Sequence, residues 1–441
     1  MARALVVGAG ITGLSAALLL ARRGLAVELW EAEAEPGGLL APVRFRGREH
    51  DRGSHRVHPE AHPLVLELTR EEGWQARPRR GLLRLAGRSL PYPPDPIRFL
   101  RALGPRAAAA LAAGYALRPG ALRRSLRWEE ERVSGADEGF ERFVLSRVGG
   151  AAYRAFYRPY VEKVWGVAPD ELSQSVAKRR VSTTSPLRAL RGGARAGSAA
   201  SFLYPRRGMA GLVRRLRDEA IALGVDLRHD KRATLDELRD APHEHVLFSG
   251  HLGDLVPEAG LEHRGLYLLH LAVPDDAVLG DADTWYAPEA RYWFGRVSRP
   301  DAFSDDYARE GERVLCVEIP EGRWGRGRDF LAHLDVLRAQ LAGARVLRPG
   351  APVLDAVQTY LPRVYPLYRV GWRAAFSRAL RALVEADPRV LPIGRQGLFL
   401  HCNIDHCVHI AGDAAEHVVG GGVSSSWAKR AADYHELRVR D

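Results

Sequence analysis

Residues 4–7 are an apolar run too short for a helix, and a glycine ends it, the pattern of a strand buried on both faces. Leu14, Ala17, Leu18 and Ala21 then recur at helical spacing, and a second apolar run, 25–30, closes on Glu31. The chain is therefore predicted to open as strand, turn, helix, strand. Further strands are predicted over 225–228, 246–249, 265–273, 314–319 and 358–368, and hairpins at 43–50, at 81–93 turning on Gly87, and through the aromatic stretch 285–294. Helices are predicted over 63–72, 100–126, 138–157, 330–341 and 373–385, with an amphipathic helix over 211–223 that Gly224 ends. Near the C-terminus, 408–411 is read as a strand running into Gly412-Asp413, followed by a glycine run and a terminal helix. Residues 190–200, rich in Gly, Ala and Arg, are read as a crossover or lid.

The turn after the first strand is Gly8-Ala9-Gly10-Ile11-Thr12-Gly13. A G-x-G-x-x-G alone is a weak signal, but here it lies between a strand and a helix, with a second strand and an acid following. Gly8 makes the tight turn, Gly10 lets backbone approach a pyrophosphate, and Gly13 lets helix and strand pack closely. Free N–H groups at the helix start suit phosphate, and Glu31 stands where a carboxylate would accept from a ribose hydroxyl. A dinucleotide site is expected.

Six residues past Glu31 stands Gly37-Gly38. This resembles the long flavoprotein form of the fingerprint, in which Ala32 and Leu39 also line the cofactor. The tail HIAGDAAEHVVGGGVSSSWAKRAADY resembles the second cofactor-binding element of the amine oxidase superfamily. On that resemblance Gly412, Asp413, Gly422 and Val423 would close on the ribityl chain and ring, Ala233 would contact the adenine end, and the cofactor is FAD. Asp51-Arg52-Gly53-Ser54-His55-Arg56 resembles the segment beside the flavin ring in protoporphyrinogen-oxidase-like proteins and UDP-galactopyranose mutases. It implies Ser54 and His55 as flavin contacts, with His55 donating to N5 or O4. Trp165-Gly166, Arg179-Arg180-Val181, Tyr204-Pro205, Trp293 with Arg296, Tyr365-Pro366 and Gly394-Arg395 extend the likeness. It implies His55 and Arg395 as catalytic residues and Arg56, Trp165, Tyr204, Trp293, Arg296, Tyr365, His401 and Asn403 around the substrate. Trp165 reads equally as a packing anchor.

The resemblance implies an α/β fold. A Rossmann-type FAD-binding lobe of the p-hydroxybenzoate-hydroxylase-like kind (1–75, 190–265 and 385–441) is interleaved with a mixed α+β substrate-binding lobe. That second lobe is mainly helical over 76–189 and sheet over 266–384. The implied activity is an oxidoreductase in which hydride passes from a substrate C–H to flavin N5 and O2 or another acceptor reoxidises the flavin. The alternative is a flavin-dependent nucleotide-sugar isomerase resembling the mutases. Many amine oxidases hold a lysine near N5, and no lysine falls in 265–370. Weight therefore moves from simple amine oxidation toward desaturation or the mutases.

Composition changes this picture little. The chain has 441 residues, 46% hydrophobic and 27% charged, so it can bury more than one core. Its net charge of +11 comes almost wholly from arginine, since only four lysines occur: Lys163, Lys178, Lys231 and Lys429. No nucleic-acid-binding motif accompanies the charge, so a small-molecule substrate is expected, with an anionic one left open. The glycines of the first apolar stretch fall on the fingerprint, no basic region precedes it, and it is read as fold rather than leader. No other run is long enough to span a bilayer. Cys316, Cys402 and Cys407 make no disulfide framework, and a cytoplasmic setting is expected. The cluster His401-Cys402, His406-Cys407, His409 has metal-ligand residue types, but its alternation reads as a flavin-facing strand, and no metal is expected.

Overall fold

Five short, mostly apolar runs pair in parallel as one sheet, in the spatial order Val390–Pro392, His245–Phe248, Arg3–Val7, Ala26–Trp30, Asp226–Arg228. The central strand carries only Ala, Leu and Val where it is covered on both faces, and Ala4, Leu5 and Val6 are inaccessible to solvent. The computed structural model describes residues 3–70, 73–85, 87–92, 101, 103–118, 137, 139–180 and 201–437. The 190–200 crossover, Val181 and the end of the 100–126 helix lie outside the described residues.

The helix Ile11–Arg22 follows the first strand and packs between Gly208–Ala222 and Ile404–Val419. Gly13 makes that packing possible, because a Cβ there would fall far inside contact distance of the Gly8 carbonyl. The C-terminal expectation is overturned here: 408–411 is not a strand but the middle of the sixteen-residue helix Ile404–Val419. Ile404, Cys407, Val408, Ala411, Ala414, Ala415 and Val418 are all buried, a helical and not an alternating spacing, and Asn403 caps the start. The fifth parallel strand lies earlier, at Val390–Pro392, and Gly394 follows it.

A second sheet of seven strands has the order Asp355–Pro366, His263–Pro274, Glu312–Pro320, Arg296–Ser298, Thr284–Tyr286, Gly81–Leu85, Arg88–Tyr92. All neighbours are antiparallel except Thr284–Tyr286 with Gly81–Leu85. The strand His263–Pro274 sends alternate side chains to two cores. Tyr267, Leu269, Leu271 and Val273 join a core with Leu337 and Leu341 from the helix Leu334–Gly343. Leu266 and Leu268 face the other way, with Leu361, Val364 and Cys316, toward Leu39 of the first lobe. That second face, the ends of the parallel strands and the helices Phe140–Ala152 and Arg158–Trp165 enclose a large cavity.

Candidate functional site

The cavity measures about 1410 Å³. A pocket for one drug-sized ligand is roughly 300–1,000 Å³, so this one has room for a dinucleotide and a substrate together.

One end is built by the glycine turn. Gly8 has φ +92°, and a Cβ there would come within 2.5 Å of Ser249 Oγ. Gly10 has ordinary extended backbone, but a Cβ on it would meet nothing within 4 Å, so its face is open to the crevice. The helix behind it begins with no side-chain cap and no acid in its first turn, leaving the N–H groups of Ile11 and Thr12 for an anion. Glu31, 7% exposed, accepts from the Ala9 N–H at 2.6 Å and the Glu33 N–H at 2.9 Å. Those two bonds fix its carboxylate at the cavity edge and leave lone pairs for a hydroxyl. The Gly37 N–H donates to the Ala9 carbonyl at 2.9 Å, which ties the second glycine pair to the first turn. Gly37 and Gly38 both have positive φ, as only glycine adopts readily. Ala32, Leu39 and Ala233 line the same end, with Lys231 and Arg232 beside them.

The C-terminal contribution comes from 394–407. Gly394 has φ +70°, and a Cβ there would collide with the Thr12 side chain. The N-terminus of the Ile404–Val419 helix opens on the cavity through Asn403, Ile404 and Cys407. Gly412, Asp413, Gly422 and Val423 do not line it, which corrects their expected role. Asp413 lies ten residues beyond Asn403, about 15 Å along the helix at 1.5 Å per residue. It accepts from Tyr434 Oη at 2.6 Å and pairs with Arg430 at 2.7 Å, anchoring the terminal helix. Gly412 lets the Ile404–Val419 helix approach Leu64, since a Cβ would come within 2.7 Å of Leu64 Cδ2. Val423 is exposed and Gly422 abuts His417.

Between the ends lies Gly53-Ser54-His55. Gly53 has φ +99° and its neighbour's N–H, that of Ser54, donates to Glu318 Oε1 at 3.1 Å. Glu318 also holds Arg296 through two parallel bonds of 2.8 and 2.7 Å. His55 Nε2 lies 3.1 Å from the Arg52 carbonyl. Burial pushes the His55 pKa down, against the opposing pull of Asp51 and Glu318, so the ring is neutral. A carbonyl only accepts, so Nε2 carries the one N–H and Nδ1 is the acceptor. The N–H of His55 is thus engaged by Arg52, whereas the expectation had it donating to the flavin. Arg395 donates to the Val364 carbonyl at 2.8 and 3.1 Å and to the Cys402 carbonyl at 2.6 Å. It lines the cavity and ties two backbone segments together.

Arg56, Trp165, Arg296, Tyr365, His401 and Asn403 also line the cavity. Tyr365 stacks on His401 with ring centroids 5.6 Å apart and meets Trp165 edge-on at 6.0 Å. Arg56 bonds Asp283 at 2.8 Å and lies over Phe202 and Phe303. Two expected substrate residues are elsewhere. Tyr204 is inaccessible and donates to the buried Asp51, beneath the cavity floor. Trp293 packs on Trp324 and Phe330 in the core of the second sheet, because its neighbours Tyr292 and Phe294 are buried there. Sequence reading missed the opposite wall, Phe140, Phe156, Tyr157, Tyr160, Val161 and Val164, and the loop Ser249–His251. The stripe Phe156, Tyr157, Tyr160, Val161, Val164 at helical spacing was the available signal for the wall. No group of three or more His, Cys, Asp or Glu with metal-binding placement occurs among the described residues. No helix among them is long and apolar enough to cross a membrane.

Residues 6–71 match the model of an NAD(P)-binding Rossmann-like domain. A 51-residue stretch is 53% identical to the hydroxyneurosporene desaturase of Rubrivivax gelatinosus, covering 12% of this chain and 10% of that protein. The chain thus matches about a tenth of the length of this curated relative. Among solved structures, reduced UDP-galactopyranose mutase is similar at a TM-score of 0.81 with 18% identity, over 99% of both chains. A protein assigned as a protoporphyrinogen oxidase from Exiguobacterium sp. 255-15 is similar at a TM-score of 0.69 with 18% identity, over 95% of this chain and 98% of its own. The chain has the mixed α/β fold of these proteins, a Rossmann-like dinucleotide-binding lobe beside a mostly antiparallel sheet, as expected for an FAD-dependent oxidoreductase. The open glycine face, the uncapped helix start, the fixed Glu31 carboxylate and the size of the cavity all fit FAD.

Proposed function

We propose that this protein is an FAD-dependent oxidoreductase that removes hydride from a C–H bond of a small, largely apolar substrate. When bound, FAD supplies a two-electron acceptor at its N5 position. Gly8, Gly10 and the Ile11–Arg22 helix start hold its diphosphate, and Glu31 its ribose. The wall of Phe140, Phe156, Tyr157, Tyr160, Val164 and Trp165 binds the substrate by burial and keeps water from the reacting carbon. His55, neutral and with its N–H on the Arg52 carbonyl, keeps Nδ1 as the ring acceptor that takes or holds a proton released beside the transferred hydride.

One observation carries the choice of reaction. Arg52, Arg56, Arg79, Arg232, Arg296, Arg363 and Arg395 line the cavity. Of these, Arg52, Arg56, Arg296, Arg363 and Arg395 bond a carboxylate or backbone carbonyl and Arg232 lies 3.7 Å from Glu33, while the facing wall is aromatic. That arrangement supports an apolar substrate better than a nucleotide-sugar diphosphate, which needs unpaired guanidinium groups. Lys231, the lysine that lines the cavity among the described residues, sits at the Glu31 end, which weakens simple amine oxidation.

The test is anaerobic mixing of the yellow protein with a panel of apolar amines, alcohols and partly saturated polyenes. Loss of the oxidised flavin absorbance is expected with one class. A protein that leaves its flavin oxidised throughout, yet isomerises a nucleotide sugar once reduced by dithionite, is a mutase and the proposal fails. His55→Ala should slow the reduction step more than it weakens FAD retention. Unchanged stopped-flow reduction would remove His55 from the mechanism.

A further inference from the structure

Two of the three cysteines face each other across the start of the Ile404–Val419 helix. Cys402 precedes the capping Asn403, and Cys407 lies in the first turn, its N–H on the Asn403 carbonyl at 3.1 Å. Their Sγ atoms are 3.6 Å apart, both residues line the cavity, and both are about 5% exposed or less. A disulfide needs an S–S distance of about 2.05 Å, so closure asks for ~1.5 Å of side-chain movement. Both anchors sit beside fixed groups, Cys402 through its carbonyl on Arg395 and Cys407 through its backbone on the cap.

We propose that Cys402 and Cys407 are a reversible dithiol–disulfide couple in the cavity wall, oxidised by hydrogen peroxide.

The chemistry balances in two steps. The Cys407 thiolate attacks one oxygen of the peroxide, the O–O bond breaks, and Cys407 becomes a sulfenic acid as the other oxygen leaves as water after protonation. The Cys402 thiol then attacks that sulfur, the S–O bond breaks, and a second water departs as the S–S bond forms. Two thiols lose two electrons and two protons, and one peroxide becomes two waters. Cys407 suits the first step. The hydrogen bond with Cys402 lowers its pKa most; burial opposes this, but Thr12 and the Arg395 charge add to the lowering, and the net direction is down. Cys316 suits neither step: it is buried under the second sheet, does not line the cavity, and burial pushes its thiol pKa up.

The test uses the purified protein with hydrogen peroxide itself, so it does not depend on the flavin reading. Trypsin should release residues 396–429 as one peptide carrying both cysteines, since no Lys or Arg occurs between Arg395 and Lys429. After one equivalent of peroxide, that peptide should lose the mass of two hydrogens and take up no alkylating agent. Thiols titratable after denaturation should fall from three to one, and dithiothreitol should restore all three. Cys407→Ser and Cys402→Ser should each abolish the two-hydrogen loss, with Cys316→Ser retaining it. The proposal is overturned if the native peptide stays fully alkylatable, if each cysteine gains oxygen without coupling, or if the native chain oxidises no faster than the guanidine-unfolded one.

Discussion

The Arg296–Glu318 pair allows a stability prediction with its own internal control. Glu318 is 4% exposed, and its carboxylate meets Arg296 through two bonds and the Ser54 N–H through a third. Glu318→Ala removes all three and leaves a guanidinium, itself 29% exposed, without its counter-charge. Removing one partner of a buried pair costs roughly 3–5 kcal/mol, and the partial exposure of Arg296 puts this change near the low end, about 3 kcal/mol. Arg296→Met leaves the better-buried carboxylate unpaired and should cost about as much or more. The double variant leaves no orphaned charge. Because replacing a whole buried pair by apolar groups is often close to neutral, it should recover to within about 2 kcal/mol of the parent. The coupling energy should therefore exceed about 2 kcal/mol, whereas independent sites add to within roughly 0.5 kcal/mol. Urea unfolding followed by far-UV circular dichroism and by tryptophan fluorescence gives the four values, provided the two transitions coincide. Additive single effects would refute the pair as the element that fixes Ser54 and His55 against the second sheet.

Gly10→Glu should yield colourless protein that no longer retains FAD, because it places bulk and negative charge on the open face of the turn; a variant as yellow as the parent would contradict this. Asp413→Ala should lower stability by about 1–2 kcal/mol through loss of the Tyr434 and Arg430 bonds, with FAD affinity unchanged in a fluorescence titration. Lys163 donates to the Ala287 and Glu289 carbonyls, and burial lowers its pKa to about 7, below its unfolded value. The unfolded chain then holds the extra proton above that pH, so this lysine makes stability rise with pH above about 7 and takes that gain away as pH falls back through 7. Lys163→Met should flatten the measured stability slope between pH 7 and 9 by up to about 1.4 kcal/mol per unit.

The parallel sheet was legible because its strands are apolar on both faces and its turn is written in glycine. Runs such as 4–7 and 246–249 have few alternatives, and Gly8 and Gly37 occupy backbone conformations that exclude most other residues. The tail was misread for a related reason. Four apolar residues, 408–411, fit a strand as well as a helix when taken alone. What decided between them was outside that window: the Asn403 cap and the apolar spacing sustained to Val418. Tyr204 and Trp293 show the opposite failure. An aromatic side chain has the same sequence signature in a core and in a pocket, and only the register of its strand or turn tells which it faces. The helical wall from Phe140 to Val176 shows in the sequence only as an apolar stripe at helical spacing, which looks the same whether it faces a core or a cavity.

Correcting the tail also changes what holds the two ends of the cavity together. Gly394 packs on Thr12 at the diphosphate end, and the next residue, Arg395, reaches across to the Val364 carbonyl beside Tyr365 at the substrate end. The same guanidinium grips the Cys402 carbonyl, one residue before the helix cap. Three segments, the glycine turn, the end of the strand Asp355–Pro366 and the start of the helix Ile404–Val419, are thus linked through two consecutive residues. Any displacement of the backbone at Val364 must therefore break or drag bonds that also hold the helix start. Gly394-Arg395 thus ties the backbone beside Tyr365 to the glycine turn and to the helix start.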